Sequence, residues 1–184
     1  MRSNIKFVQG IIKVRPVPFE TEEEFTYWWC DEKDENGLVI RPARMSEKEK
    51  ERYTVYETEN LITTNGINNI LTFLGLSSGT ATLFSKWFAV GTGAISGVDR
   101  ADTSLATELY RLQPTGTAII GYQQDVSILF TGSNGNGTWT NSGFFGGSAT
   151  STPGSGTLET HALYSYTKTT GSVTNDYVFL LSFV

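Results

Sequence analysis

The glycines of GTGAISG, residues 91–97, follow a short apolar run and raise one chemical possibility, a phosphate cradle. A dinucleotide loop needs G-x-G-x-x-G opening a helix within a βαβ unit. Gly91 and Gly93 suit the first two positions, but Gly97 comes one residue late and VDRADTS follows where an apolar helix is required. The run reads as a glycine turn carrying the chain across a sheet end. Asp99 and Asp102, with Thr103 and Ser104, offer oxygen ligands. Calcium takes six to eight oxygens, more than this loop provides. Asp102 instead reads as the cap of a short turn or helix, TSLATELY, with Leu105 and Leu109 on one face. His161 stands alone in LETHALYSY. One imidazole makes no metal site without further His or Cys, and no Ser/His/Asp partners are marked, so it reads as a strand-surface histidine. Glu159 and Asp125 carry no sign of a glycosidase pair.

Cys30 is the only cysteine, which excludes an intrachain disulfide and a thiolate zinc cluster. Beside Tyr27, Trp28 and Trp29 it reads as a buried apolar thiol. With no nucleophile, metal set or acid/base pair, the chain reads as non-enzymatic and free of cofactors. Aromatics are the remaining binding chemistry: Trp87, Trp139, Tyr122, Tyr164, Tyr166 and Tyr177 suit a sugar-binding face, a strand core or a subunit interface alike. The GSNGNG tip with Asn134 and Asn136 is where a glycan contact would be sought.

The elements that must position these residues fall into two regions. Most charged residues precede Leu61, while the remainder is rich in Gly, Ser, Thr and aromatics. Net charge is −5, and after Leu61 the only cations are Lys86, Arg100, Arg111 and Lys168, too few for a phosphate-tracking surface. The N-terminal cations are interleaved with acids, as in SEKEKER, which reads as a solvated or ion-paired face. No signal peptide or membrane-length apolar run is evident, so synthesis in a host cytoplasm is expected. At 184 residues the chain suits one domain plus an arm.

IKFVQGIIKV, residues 5–14, reads as a strand, stopped by Pro16 and Pro18. FTYWWC, residues 25–30, reads as a short aromatic strand closed by the turn-forming DEKDENG. Ser46 and Glu49 form a capping-box signal for a short helix. The firmest helix lies at 65–74: Ile67, Ile70, Leu71 and Leu74 make one apolar stripe, with Thr63, Thr64 or Asn65 as N-cap and Gly75 as stop. From Lys86 onward the pattern is β: 86–91, roughly 118–130, 138–145, 158–167 and 176–184. The last run is apolar on both faces, as in a central strand. Short strands with glycine-rich turns predict a mainly β chain, an antiparallel β-sandwich over residues 60–184 with one short covering helix near 65–75 and an extended N-terminal arm over 1–59.

NLITTNGINNILTFLG followed by WFAVGTGAISGVDRADTSLATELYR resembles a module of virion proteins of tailed bacteriophages. The matching pieces are Asn60, Leu61, Thr63 and Gly66, then residues 88–93, then Asp102, Thr103, Leu105, Glu108, Leu109 and Arg111. TWTNSGFFGG, residues 138–147, resembles the element that follows, with Asn141 and Ser142 where an acid often sits. The resemblance implies a structural protein of the particle, tail-associated (fibre, adaptor or baseplate-proximal); capsid decoration and a glycan-binding receptor module are the alternatives. Expected partners are other virion proteins and further copies in a closed ring or trimer, with a host surface glycan under the third reading. Neither nucleic acid nor membrane is expected. Candidate interface residues are Tyr27, Trp28, Trp29, Trp139, Asn134 and Asn136.

Overall fold

The computed structural model describes residues 5–7, 10–36, 38–73, 86–94, 96–120 and 123–183. In chain order the elements are β1 (Ile5–Phe7), β2 (Gly10–Pro16), α1 (Glu22–Trp29), β3 (Glu32–Lys33), β4 (Val39–Arg41), α2 (Glu47–Glu51), β5 (Tyr56–Ile62) and α3 (Thr64–Phe73). β6 (Trp87–Gly91), β7 (Glu108–Leu112), β8 (Gly116–Ile120), β9 (Gln123–Phe130), β10 (Gly137–Gly146), β11 (Thr157–Leu158), β12 (Thr160–Lys168) and β13 (Val173–Phe183) follow.

Antiparallel pairing runs in the order β7-β6-β10-β12-β5-β2-β13-β9-β8, with β1 added to β13 and β11 to β10. This sheet folds over on itself. Phe88 on β6 meets Phe130 on β9 with ring centroids 6.3 Å apart, and Tyr110 on β7 approaches the same ring, so strands far apart in the order share one interior. Ile12, Val14, Phe88, Val90, Val126, Ile128, Phe130, Trp139 and Phe144 fill that interior, giving the antiparallel sandwich expected from the alternation of apolar residues. The final strand is central, hydrogen-bonded to β2 on one side and β9 on the other. The run expected at 118–130 is instead a hairpin of β8 and β9.

The expected arm is where the structure differs most. β2 lies between β5 and β13, and its Ile12 and Val14 are fully buried in the main core. Residues 10–16 alternate inward and outward and complete the sheet, so the boundary at 59/60 is crossed by the main sheet and its core. The aromatic run 25–29 is helix, not strand. Thr21 caps α1 by accepting from the Glu24 amide, three acids occupy the first turn, and Phe25 and Trp29, four apart, stack at 5.6 Å on the inner side. The period of four overrides the β propensity of the aromatics. With Val17 and Leu129, these two rings form a second core under α1. α2 carries the Ser46/Glu49 capping box read in the sequence.

A buried polar knot ties this helical layer to the sheet. Arg15 pairs with Asp176, donates to Thr54 Oγ1 at 2.9 Å and reaches Glu51 at 3.0 Å. Asp176 also accepts from Trp29 Nε1 at 3.3 Å and Thr174 Oγ1 at 3.0 Å.

α3 starts where expected. Thr63 caps it, its hydroxyl accepting from the Gly66 amide at 3.2 Å and donating to the Leu158 carbonyl at 2.7 Å. The facing side differs, however. Gly66 is buried, Ile67, Ile70 and Leu71 are half-buried, and Asn69 donates to Glu159 Oε1 at 2.7 Å. Gly66 sets this orientation because a Cβ there would lie 2.2 Å from the Glu159 carbonyl oxygen, so only glycine lets the helix approach so closely. Leu74 and Gly75 lie outside the described residues. Gly66→Ala is expected to cost about 1–3 kcal/mol through overpacking, against under about 0.5 kcal/mol for Ala at the exposed Asn68, read from urea unfolding. Equal costs would place the helix differently.

Candidate functional site

Residues 92–94 and 96–107 fold back over the outer side of β6, β10 and β12, and the motif residues hold them there. Asn141 and Gly91 are opposite each other across β10 and β6, and both touch the returning chain. The Gly93 amide donates to the Ala106 carbonyl at 3.1 Å, the Thr92 amide to Thr107 at 3.0 Å, and Asn141 Nδ2 to Ala106 at 3.3 Å. Thr140 Oγ1 donates to the Gly93 carbonyl at 2.6 Å. A Cβ on Gly91 would sit 2.7 Å from the Ala106 oxygen, and one on Gly93 2.6 Å from the Ala106 Cβ. Neither glycine has positive φ, so close approach, not turn geometry, requires them. Thr107 bears the unusual backbone instead, with φ of 47°.

Asp102 and His161 anchor the middle of this segment. His161 is buried opposite Leu61 of β5, and its Nδ1 lies 2.6 Å from Asp102 Oδ2. The same carboxylate oxygen accepts from the Asp99 amide at 2.7 Å, while Asp99 Oδ1 accepts from Ala101. These acids are engaged with backbone and imidazole. Among the described residues no three His, Cys, Asp or Glu side chains gather as a metal set. His161 is therefore interior rather than on a strand surface, because the segment carrying Asp102 covers that face of β12. Asp102 caps no helix: residues 103–107 are irregular and 108–112 form β7. The Thr64 amide donates to the Arg100 carbonyl at 2.7 Å and Arg100 Nη1 to Ile62, joining the start of α3 to the same segment.

Arg111 closes the next loop. Its guanidinium makes two bonds to Glu108, at 2.5 and 2.6 Å, and donates to the carbonyls of Thr150 and Ser155, each at 3.0 Å. It also lies 4.4 Å above the Phe145 ring. Glu108 accepts from the Gly154 amide at 2.9 Å. The pair, both side chains almost wholly buried, fastens residues 147–156 to β7.

The six candidate interface residues do not gather. Tyr27 and Trp28 are exposed on the outer side of α1, whereas Trp29 is 1% exposed beneath it. Trp139 is fully buried, its Nε1 donating to the Gly135 carbonyl at 2.6 Å, because the bulge after it turns the ring inward against Phe130. Asn136 Oδ1 accepts from Lys168 Nζ at 2.8 Å, and Asn134 sits in the same turn with Thr131. Trp139 thus offers no face to a sugar, and Tyr164 is likewise interior. Glu159 is buried beside α3, and Asp125 lies on β9, part of the opposite half of the sheet order.

Leu38, Val39 and Ile40 were not singled out from the sequence, yet all three are exposed. The available signal was LVI directly after the turn-forming DEKDENG. Cys30 is half-buried, and burial, with the Asp176 carboxylate nearby, pushes its thiol up to about 12. Iodoacetamide at pH 8 is expected to alkylate folded protein far more slowly than urea-unfolded protein; equal rates would contradict a protected thiol.

No protein-family model, curated protein or solved structure matches this chain.

Proposed function

We propose that this is a non-enzymatic structural protein of a tailed bacteriophage particle, placed at the tail. One observation carries the reading. The separate segments that resemble the virion module, Asn60 to Gly66, residues 88–93 and Asp102 to Arg111, fall in the β7-β6-β10-β12-β5 half of the sheet order and hydrogen-bond to one another or to β10 and β12. Their polar groups fix loops in place: Thr63 caps α3, Asp102 holds His161, and Arg111 fastens residues 147–156. Such an arrangement serves a rigid building block that presents surfaces, since binding residues are best placed on loops held by a firm scaffold.

Purified particles from a lysate of the producing host provide the test. Mass spectrometry is expected to find the protein in banded particles, and gold-labelled antibody to mark the tail end. Labelling over the capsid would move it to the decoration class. Absence from particles, with all of the protein in the soluble fraction, would reject the structural reading.

A further inference from the structure

We propose that the outer side of α1 and the β3–β4 hairpin form a docking surface for a second virion protein, one whose contact area is apolar at its centre and rimmed by Lys and Arg. This inference rests on the structural-protein reading above and names the partner chemistry for it.

The hairpin presents Leu38, Val39 and Ile40, 66%, 48% and 61% exposed. Alternate residues of a strand point to opposite faces, so this chain leaves apolar groups uncovered on both faces of β4. Among the described residues β4 pairs only with β3, which leaves its other edge open as well. Tyr27 and Trp28, edge to face at 5.4 Å, are exposed on α1, and Tyr27 lines one groove with Arg41 of β4, next to Ile40. They are set before any partner arrives. Arg44 stacks 3.4 Å from the Tyr27 ring and donates to the Tyr27 carbonyl at 2.7 Å, and the Trp28 carbonyl accepts from the Met45 amide at 2.9 Å. A platform already ordered loses little conformational freedom on binding.

Charge selects the occupant. Glu20, Glu22, Glu23 and Glu24 are all exposed at the start of α1, and among the described residues no cation pairs with them. Glu22 and Glu23 line a groove with Tyr27, closed on its far side by Glu32, Arg41 and Pro42. The nearby cations are committed, Arg41 to Glu32 at 3.1 Å and Arg44 to Tyr27. An apolar centre with an acidic rim matches a basic-rimmed partner. A second copy would bring carboxylates against carboxylates.

The test uses particles assembled without this protein as the probe and cosedimentation of the purified full chain as the readout. Wild type is expected to bind saturably. Leu38→Ser/Ile40→Ser should weaken binding at least about tenfold, as loss of a central apolar anchor does. Glu22→Lys/Glu23→Lys should weaken it too and flatten its salt dependence. Leu109→Ser, at a separate exposed apolar site, should bind as wild type, and all variants should keep the wild-type unfolding midpoint. Wild-type affinity of Leu38→Ser/Ile40→Ser, or of the charge reversal, would overturn the proposal. So would a wild-type oligomer that becomes monomeric in Leu38→Ser/Ile40→Ser, because the occupant would then be a second copy. If wild-type protein neither resides in particles nor binds them, the structural-protein reading fails by itself. A photo-crosslinker at Ile40 in producing cells then decides the docking surface: a link to a different chain beside its own Lys or Arg residues supports it, and a link only to itself, or none, overturns it.

Discussion

A chain lacking residues 1–16 is expected not to fold. β2 hydrogen-bonds β5 through Gly10–Val14 and β13 through Ile11–Pro16, so its removal parts the sheet between its two halves. Ile12 and Val14 leave the main core, and losing one such buried aliphatic side chain costs about 2–5 kcal/mol when truncated to Ala. Asp176 is left buried without Arg15, a further cost of several kcal/mol. Those terms together match the whole stability of an ordinary domain, about 5–15 kcal/mol. Circular dichroism and urea titration of the truncated chain should show no cooperative transition. A cooperative melt close to that of the full chain would mean that the segment is a dispensable arm after all.

Arg111→Met should be the most damaging single substitution among the loop fasteners. It removes five donated hydrogen bonds and strands the Glu108 carboxylate in an almost wholly buried position. Breaking one side of such a pair costs about 3–5 kcal/mol, more than the loss of an exposed ion pair at about 0–1 kcal/mol. Glu108→Gln/Arg111→Met should lose less than the sum of the two single changes, since the second change relieves the orphaned charge. Limited proteolysis gives an independent reading. Residues 147–156 should become the first cleavage site in Arg111→Met, because the carbonyls of Thr150 and Ser155 lose their donor. An unfolding free energy within about 0.5 kcal/mol of wild type would show that the loop holds without the clasp.

The elements legible in the sequence were those with local signals. The existence of α3, the capping box of α2 and the strands β10 and β13 depend on residues near one another in the chain, and the structure has all of them. Residues 25–29 read as a strand because four aromatics and a threonine satisfy strand propensity, while the deciding features, the Thr21 cap and the Phe25/Trp29 spacing, lie at the edge of that window. The place of β2 was illegible for another reason. Its partners are strands 40 and more residues away, and nothing local distinguishes an inner strand from an arm. The site followed the same rule. Asp102, His161, Glu108 and Arg111 were visible as residues, but that Asp102 reaches across 59 positions to His161 follows only from the segment after β6 lying over β12.

The position of β13 also constrains how the chain can reach this state. Arg15 and Asp176, bound to each other in the finished protein, are 161 positions apart. On a ribosome adding about 5–20 residues per second, the edge of β2 that pairs with β13 would stay open for on the order of ten to thirty seconds before that neighbour exists. Until residues 173–183 emerge, β2 and β9 each present an unpaired edge rich in Ile and Val. Topologies dominated by such distant pairings fold slowly, in milliseconds to seconds, and offer open edges to neighbouring nascent chains meanwhile. Yield in a producing cell is therefore set by the rate of the last strand's insertion, and lower temperature or chaperone supply should raise soluble protein without altering the stability of molecules already folded.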